Sequence, residues 1–109
     1  MRLFLDSYGE APRGYVQAKS VGEALNLLRK QDASHISFAE NLANGETGLD
    51  LAKYLVLLAK DGLISGMTWG VHSGSNAAKA NIAKAMGTVD FYTGVSDCSG
   101  TSYKAPSPR

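Results

Sequence analysis

The chain has 109 residues, an ordinary apolar fraction of 44%, a formal net charge of +1 and a single cysteine. That length suits one domain around one core, and the lone Cys98 excludes an internal disulfide. Lys and Arg are scattered, which argues against duplex nucleic acid as a partner. No apolar run is long enough to span a bilayer or to act as a signal peptide, so the expected location is cytoplasmic, with no membrane partner.

In chain order, Arg2 to Asp6 reads as a strand, because Leu3, Phe4 and Leu5 form an uninterrupted apolar run of the kind found in covered sheets. A loop punctuated by Gly9, Pro12 and Gly14 follows, and then a short edge strand over Tyr15 to Ala18. Ser20 and Glu23 have capping-box spacing, opening a helix whose apolar face carries Val21, Ala24, Leu25 and Leu28 and which stops around residues 31–33. His35 to Phe38 is a second central strand, with His35 expected at the surface or an edge. Thr47-Gly48-Leu49-Asp50 is another N-cap signature, and the apolar helix it starts ends at Asp61-Gly62.

Met67 to His72 reads as a third central strand with Trp69 in the core, followed by the turn Ser73-Gly74-Ser75 and an Ala-rich helix from Asn76 to Met86. Gly87 is expected to end that helix, with Val89 to Tyr92 a last short strand. Strands alternating with helices argue for a mainly parallel sheet with helices on both faces. Asp6, Ala39-Glu40-Asn41 and His72-Ser73 then fall at carboxyl strand ends, where open α/β sheets bind ligands. His72 there is a candidate acid or base. Ser73, Gly74, Ser75 and Asn76 open a helix whose free N–H groups suit a phosphate or carboxylate, although the same residues serve ordinary capping. Asp6 and Glu40 are candidate oxygen ligands for Mg²⁺. An Asp at a strand end also caps the following loop through its own backbone.

The series MRLFLD, AP-G-YV, S-V-GEAL-LL, ISF-ENL, TG-DLAKYL and VHS-SN resembles the cyclic-phosphate processing receiver domains, small receiver-like proteins of bacteria and phages. The resemblance spans roughly the first four-fifths of the chain. It implies a receiver-like (flavodoxin-like) open parallel sheet flanked by helices over residues 1–92 and leaves the rest unmatched; the Ser/Gly/Pro-rich composition of residues 93–109 predicts a flexible tail. Asp6, Leu42, Thr47-Gly48 and His72-Ser73 match the family pattern. The departures are Ser7 in place of a second acid, Ala39-Glu40-Asn41 in place of D-H-D, and Ser75 ahead of the displaced Asn76.

Three functions follow. In the first, the domain binds a phosphate ester, such as a cyclic nucleotide or nucleotide terminus, through His72, Ser73, Gly74, Ser75, Asn76 and Asn41, with catalysis degraded or absent. In the second, it is a metal-dependent hydrolase of cyclic phosphates using His72, Asp6 and Glu40. In the third, it is a phage-type protein that binds and inhibits a host or defence protein. A phosphorelay role is disfavoured because Ala39 stands at the acceptor position.

Overall fold

The short apolar runs and the capped segments form four strands and three helices in a computed structural model, which describes residues 1–94. In order these are β1 (Arg2–Leu5), β2 (Tyr15–Ala18), α1 (Val21–Lys30), β3 (His35–Phe38), α2 (Gly48–Lys60), β4 (Thr68–Val71) and α3 (Asn76–Thr93). The sheet order is β2-β1-β3-β4 and every pairing is parallel. The register aligns Leu5 with Ala18 and Phe38, and Phe38 with Val71. Asp6, Ala39 and His72 therefore come level one residue past the strand ends, their N–H groups bonded to the carbonyls of Ala18, Leu5 and Phe38. The all-parallel sheet is what the alternation of elements predicts, and the architecture is consistent with the receiver-like α/β fold that the resemblance implies.

Capping sets where the helices begin. Ser20 accepts from the Glu23 N–H, while the Glu23 carboxylate takes the Lys19 N–H rather than that of Ser20. Thr47 and Asp50 form the full reciprocal box. Ser75 accepts from the Ala78 N–H at the head of α3. Each such cap is worth about 1 kcal/mol.

Strand parity divides the sheet. Leu3, Leu5, Ile36, Phe38 and Trp69 point to one face and share a single core with Val21, Ala24 and Leu28 of α1, Leu51 and Leu55 of α2, and Ile82, Met86 and Val89 of α3. Among the described residues all three helices thus cover that face, and the expectation of helices on both faces is corrected to one. The reason is the connection from β1 to β2. Residues 6–14 cross between these parallel strands as a loop, where a helix usually makes the crossover. Among the described residues, the second face carries Arg2, Phe4, Tyr15, Gln17, His35, Ser37 and Thr68. They hold one another: the Phe4 and Tyr15 rings meet edge to face at 5.8 Å, Tyr15 meets His35 at 6.1 Å, and the Arg2 guanidinium lies over Tyr15 at 5.2 Å. His35 is half-buried, with Nδ1 2.7 Å from Thr68 Oγ1.

The end of the chain also differs from expectation. Gly87 does not stop α3, and Val89 to Tyr92 are helical, not a strand. Ile82, Met86 and Val89 keep a helical stripe running through Gly87, and all three are buried. Burying such side chains is worth about 1.5–3 kcal/mol each, against about 1 kcal/mol for a helical glycine. One residue on, Asp90 Oδ2 accepts from the Trp69 indole N–H at 3.2 Å. The helix ends at Gly94, in the left-handed conformation with φ 80°. The expected tail from residue 95 onward lies outside the described residues. No helix among those described is long and apolar enough to cross a membrane.

Candidate functional site

The carboxyl ends of β1, β3 and β4 present Asp6, Ala39 and His72 in one row on the helix-free face. Ala39, between them, has no side chain beyond its methyl group. That leaves room for the His72 ring to lie across β3 and reach β1, where Nε2 is 2.9 Å from Asp6 Oδ2. Two residues back along β3, Ser37 Oγ is 2.7 Å from Nδ1 of the same ring. Phe4 stacks on the ring with centroids 4.1 Å apart and planes 12° from parallel. His72 is therefore held at both nitrogens and on one face. A neutral ring that donates Nε2–H to Asp6 accepts the Ser37 hydroxyl at Nδ1; a cationic ring donates at both ends.

Asp6 is as fully engaged as its partner. Oδ1 accepts the N–H groups of Tyr8 and Gly9 at 2.8 and 3.1 Å, and Oδ2 takes His72. Burial alone pushes the Asp6 carboxyl up. The Gly9 and Tyr8 N–H groups, the His72 hydrogen bond and the His72 charge outweigh it and hold the pKa below the ordinary value of 3.8. Ser7, where the family pattern has a second acid, donates to the Lys19 carbonyl at 2.6 Å and accepts the Ala43 N–H at 2.9 Å, tying the end of β1 to the neighbouring loops.

Glu40 does not join Asp6 and His72. Its Oε1 accepts the Ser75 N–H at 2.9 Å, so the carboxylate sits against the turn that opens α3. Gly74 permits this approach. Its φ is +125°, and a Cβ there would come within 2.6 Å of Glu40 Cβ. The turn that the sequence suggests as an anion cradle thus holds an anionic oxygen from the chain itself. Ser73 and Asn76 are exposed beside it, and Ser75 serves as the helix cap. Asn41 is exposed and pairs its backbone with Thr47 in an isolated antiparallel bridge. Among the described residues no hydrogen bond links its side chain to Asp6, Glu40 or His72.

Two participants escape the sequence reading, Ser37 and Phe4. A signal for Ser37 was available: it is a hydroxyl set between the apolar Ile36 and Phe38, 9% exposed, and a buried polar group requires a partner. Phe4 carried no signal, because an apolar residue in an apolar strand gives no hint that its ring faces a histidine.

The model of the cyclic-phosphate processing receiver domain matches residues 1–88. The chain belongs to this family. Neither the curated proteins nor the solved structures yield a significant match. Within this receiver domain the Thr-Gly pair before α2 has a physical explanation. Thr47 caps the helix, and Gly48 is where the helix passes the end of β3 so closely that a Cβ would collide with the Ala39 carbonyl oxygen. In place of the family's acidic segment after β3, the Ala39-Glu40-Asn41 run puts a methyl group under His72, a carboxylate on the turn and an exposed amide.

Proposed function

We propose that this receiver domain binds a phosphate ester at the carboxyl ends of β3 and β4 and does not turn it over. The reading rests on one observation: the turn before α3 already holds an anionic oxygen, Glu40 Oε1, on the Ser75 N–H. An N–H group at the head of an 18-residue helix that binds a carboxylate has the chemistry to bind a phosphoryl oxygen. The ester would displace Glu40, take the Ser75 N–H and the Ser73 hydroxyl, and meet the edge of the His72 ring. The family name suggests the ligand class, a cyclic phosphate; a nucleotide terminus offers the same phosphoryl oxygens.

A Mg²⁺ ion carried by Asp6 and Glu40 does not suit these residues. Both Asp6 oxygens face N–H donors, and Glu40 turns to the Ser75 N–H. Each of these donors places positive charge where a cation would have to sit. Asp6 and Ser37 hold the His72 ring in a fixed orientation, and without a metal at this site the reading assigns it no proton to transfer. The proposal therefore contains no metal step and expects little turnover.

Calorimetry with cyclic and linear nucleotides, with and without Mg²⁺, followed by chromatography for products, tests it. Binding independent of Mg²⁺ and weakened by His72→Ala and Ser73→Ala is expected. Metal-dependent product formation that is lost in Asp6→Asn would replace this reading with the hydrolase. The absence of nucleotide binding in either condition would refute it.

A further inference from the structure

A groove of about 660 Å³ separates α1 from α2 near their C-terminal ends, at the opposite end of the domain from Asp6 and His72. Its origin lies in the packing. α2 packs mainly against α3, which leaves it apart from α1 on the other side. After α2 the chain turns through Gly62 at φ +74°, and the Leu63 N–H returns to the Leu58 carbonyl at 2.8 Å, laying Leu63 along the groove. The lower wall is tied in place, because Ser65 Oγ donates to Asp32 Oδ2 at 3.1 Å and the Leu63 turn is closed by its own backbone bond.

The lining is apolar and open to water. Tyr54, Leu57 and Leu63 are 50%, 58% and 66% exposed, and Leu25 lies beside them. Large apolar side chains left this exposed in one place mark an interaction surface. The charge around them is predominantly positive. Arg29 and Lys30 line the groove, and Lys53 and Lys60 stand about one turn to either side of Leu57 on α2. Against these four cations stand Asp32, whose carboxylate accepts the Ser65 hydroxyl, and Asp61 at the end of α2.

We propose that the groove docks an amphipathic helix of a partner protein, with an apolar stripe seated on Leu25, Tyr54, Leu57 and Leu63 and acidic residues flanking that stripe. A cleft between two helices, floored by leucines, matches the helix-in-groove mode of recognition. The cationic rim selects acidic flanks. A second copy of this chain fits less well, since an isologous contact would bring the same cationic rim against itself. A small apolar ligand fits less well too, since it would leave the outward sides of Leu57 and Leu63 in water. The site is independent of the phosphate-ester reading and shares no residue with it.

The test uses two synthetic amphipathic helices with the same leucine stripe, one flanked by Glu and one by Lys, titrated into the isotope-labelled full chain and followed by NMR. The Glu peptide should move the amides of Leu25, Arg29, Leu57 and Leu63. It should bind about tenfold or more tightly than the Lys peptide at low salt, with the gap narrowing as salt rises. The double variant Leu57→Asp, Leu63→Asp should lose this binding while keeping its amide dispersion, and the charge reversal Arg29→Glu, Lys30→Glu should bring the preference over to the Lys peptide. Shifts elsewhere, equal affinity for both peptides, or no shifts would overturn the proposal. Self-association abolished by Leu57→Asp would overturn it in favour of a second copy.

Discussion

Two helical glycines should respond to the same substitution with opposite sign. Gly48 is buried at the first position of α2, and its N–H donates to the Glu40 carbonyl at 3.0 Å. A methyl group there would meet the Ala39 carbonyl oxygen well inside contact distance, with Ile82 Cδ1 at 3.3 Å on another side. The peptide that carries this carbonyl is flanked by two anchored ones, through the Ala39 N–H bonded to the Leu5 carbonyl at 3.1 Å and the Glu40 carbonyl bonded to the Gly48 N–H, so turning it aside strains both. Relief requires α2 and the end of β3 to separate. Such overpacking costs about 1–3 kcal/mol, and loss of the Gly48–Glu40 bond adds about 0.5–1.5 kcal/mol. Alanine's better helix propensity returns about 1 kcal/mol, so Gly48→Ala should lose about 0.5–3.5 kcal/mol net. Gly87 lies inside α3, and nothing is within 4 Å of a Cβ built on it. Gly87→Ala should therefore gain about 0.5–1 kcal/mol. Urea unfolding of the wild type and both variants measures the two changes directly. A Gly48→Ala protein as stable as the wild type, or two variants shifted in the same direction, would refute the reasoning from close approach.

Removing the internal anion should expose the turn. Glu40→Ala should raise phosphate-ester affinity about fivefold, the equivalent of roughly 1 kcal/mol for a displaced, partly exposed hydrogen bond, and unchanged or weaker binding in calorimetry would count against displacement. The depressed Asp6 pKa makes its contribution to stability complete above the ordinary carboxylate value of 3.8 and lost as pH falls through the folded value. The stability gap between wild type and Asp6→Asn should accordingly narrow on acidification, which denaturant midpoints at a series of acidic pH values will report. Burial, followed by the Arg2 charge, holds the His35 pKa below its ordinary 6.5, so the unfolded chain binds the proton first and stability should decline as pH drops through 6.5. His35→Gln should flatten that part of the profile. Acetyl phosphate should not phosphorylate the protein, because Ala39 occupies the end of β3; an acid-labile adduct seen by mass spectrometry would contradict this.

Local patterns were legible in the residues themselves. The continuous apolar run at Leu3 to Leu5 and the short run from His35 to Phe38 are strands, Ser20, Thr47 and Ser75 cap helices, and Asp6, Glu40 and His72 follow the carboxyl ends of strands, because propensity, period and capping act within a few neighbouring residues. Family membership was legible for the same reason, carried by short words such as Thr47-Gly48 and His72-Ser73. Gly87 misled because a local stop signal is weaker than the burial of Met86 and Val89 on either side of it, and burial depends on what the helix packs against. Among the described residues, the absence of helices from the second face depended on the loop between β1 and β2 taking the place of a crossover helix. The bonds that define the site join residues far apart in the chain: Ser37 to His72, His72 to Asp6 and Glu40 to Ser75. These pairings exist only because the parallel register brings Asp6, Ala39 and His72 level, and because the small side chain of Ala39 lets the imidazole cross the strand between them.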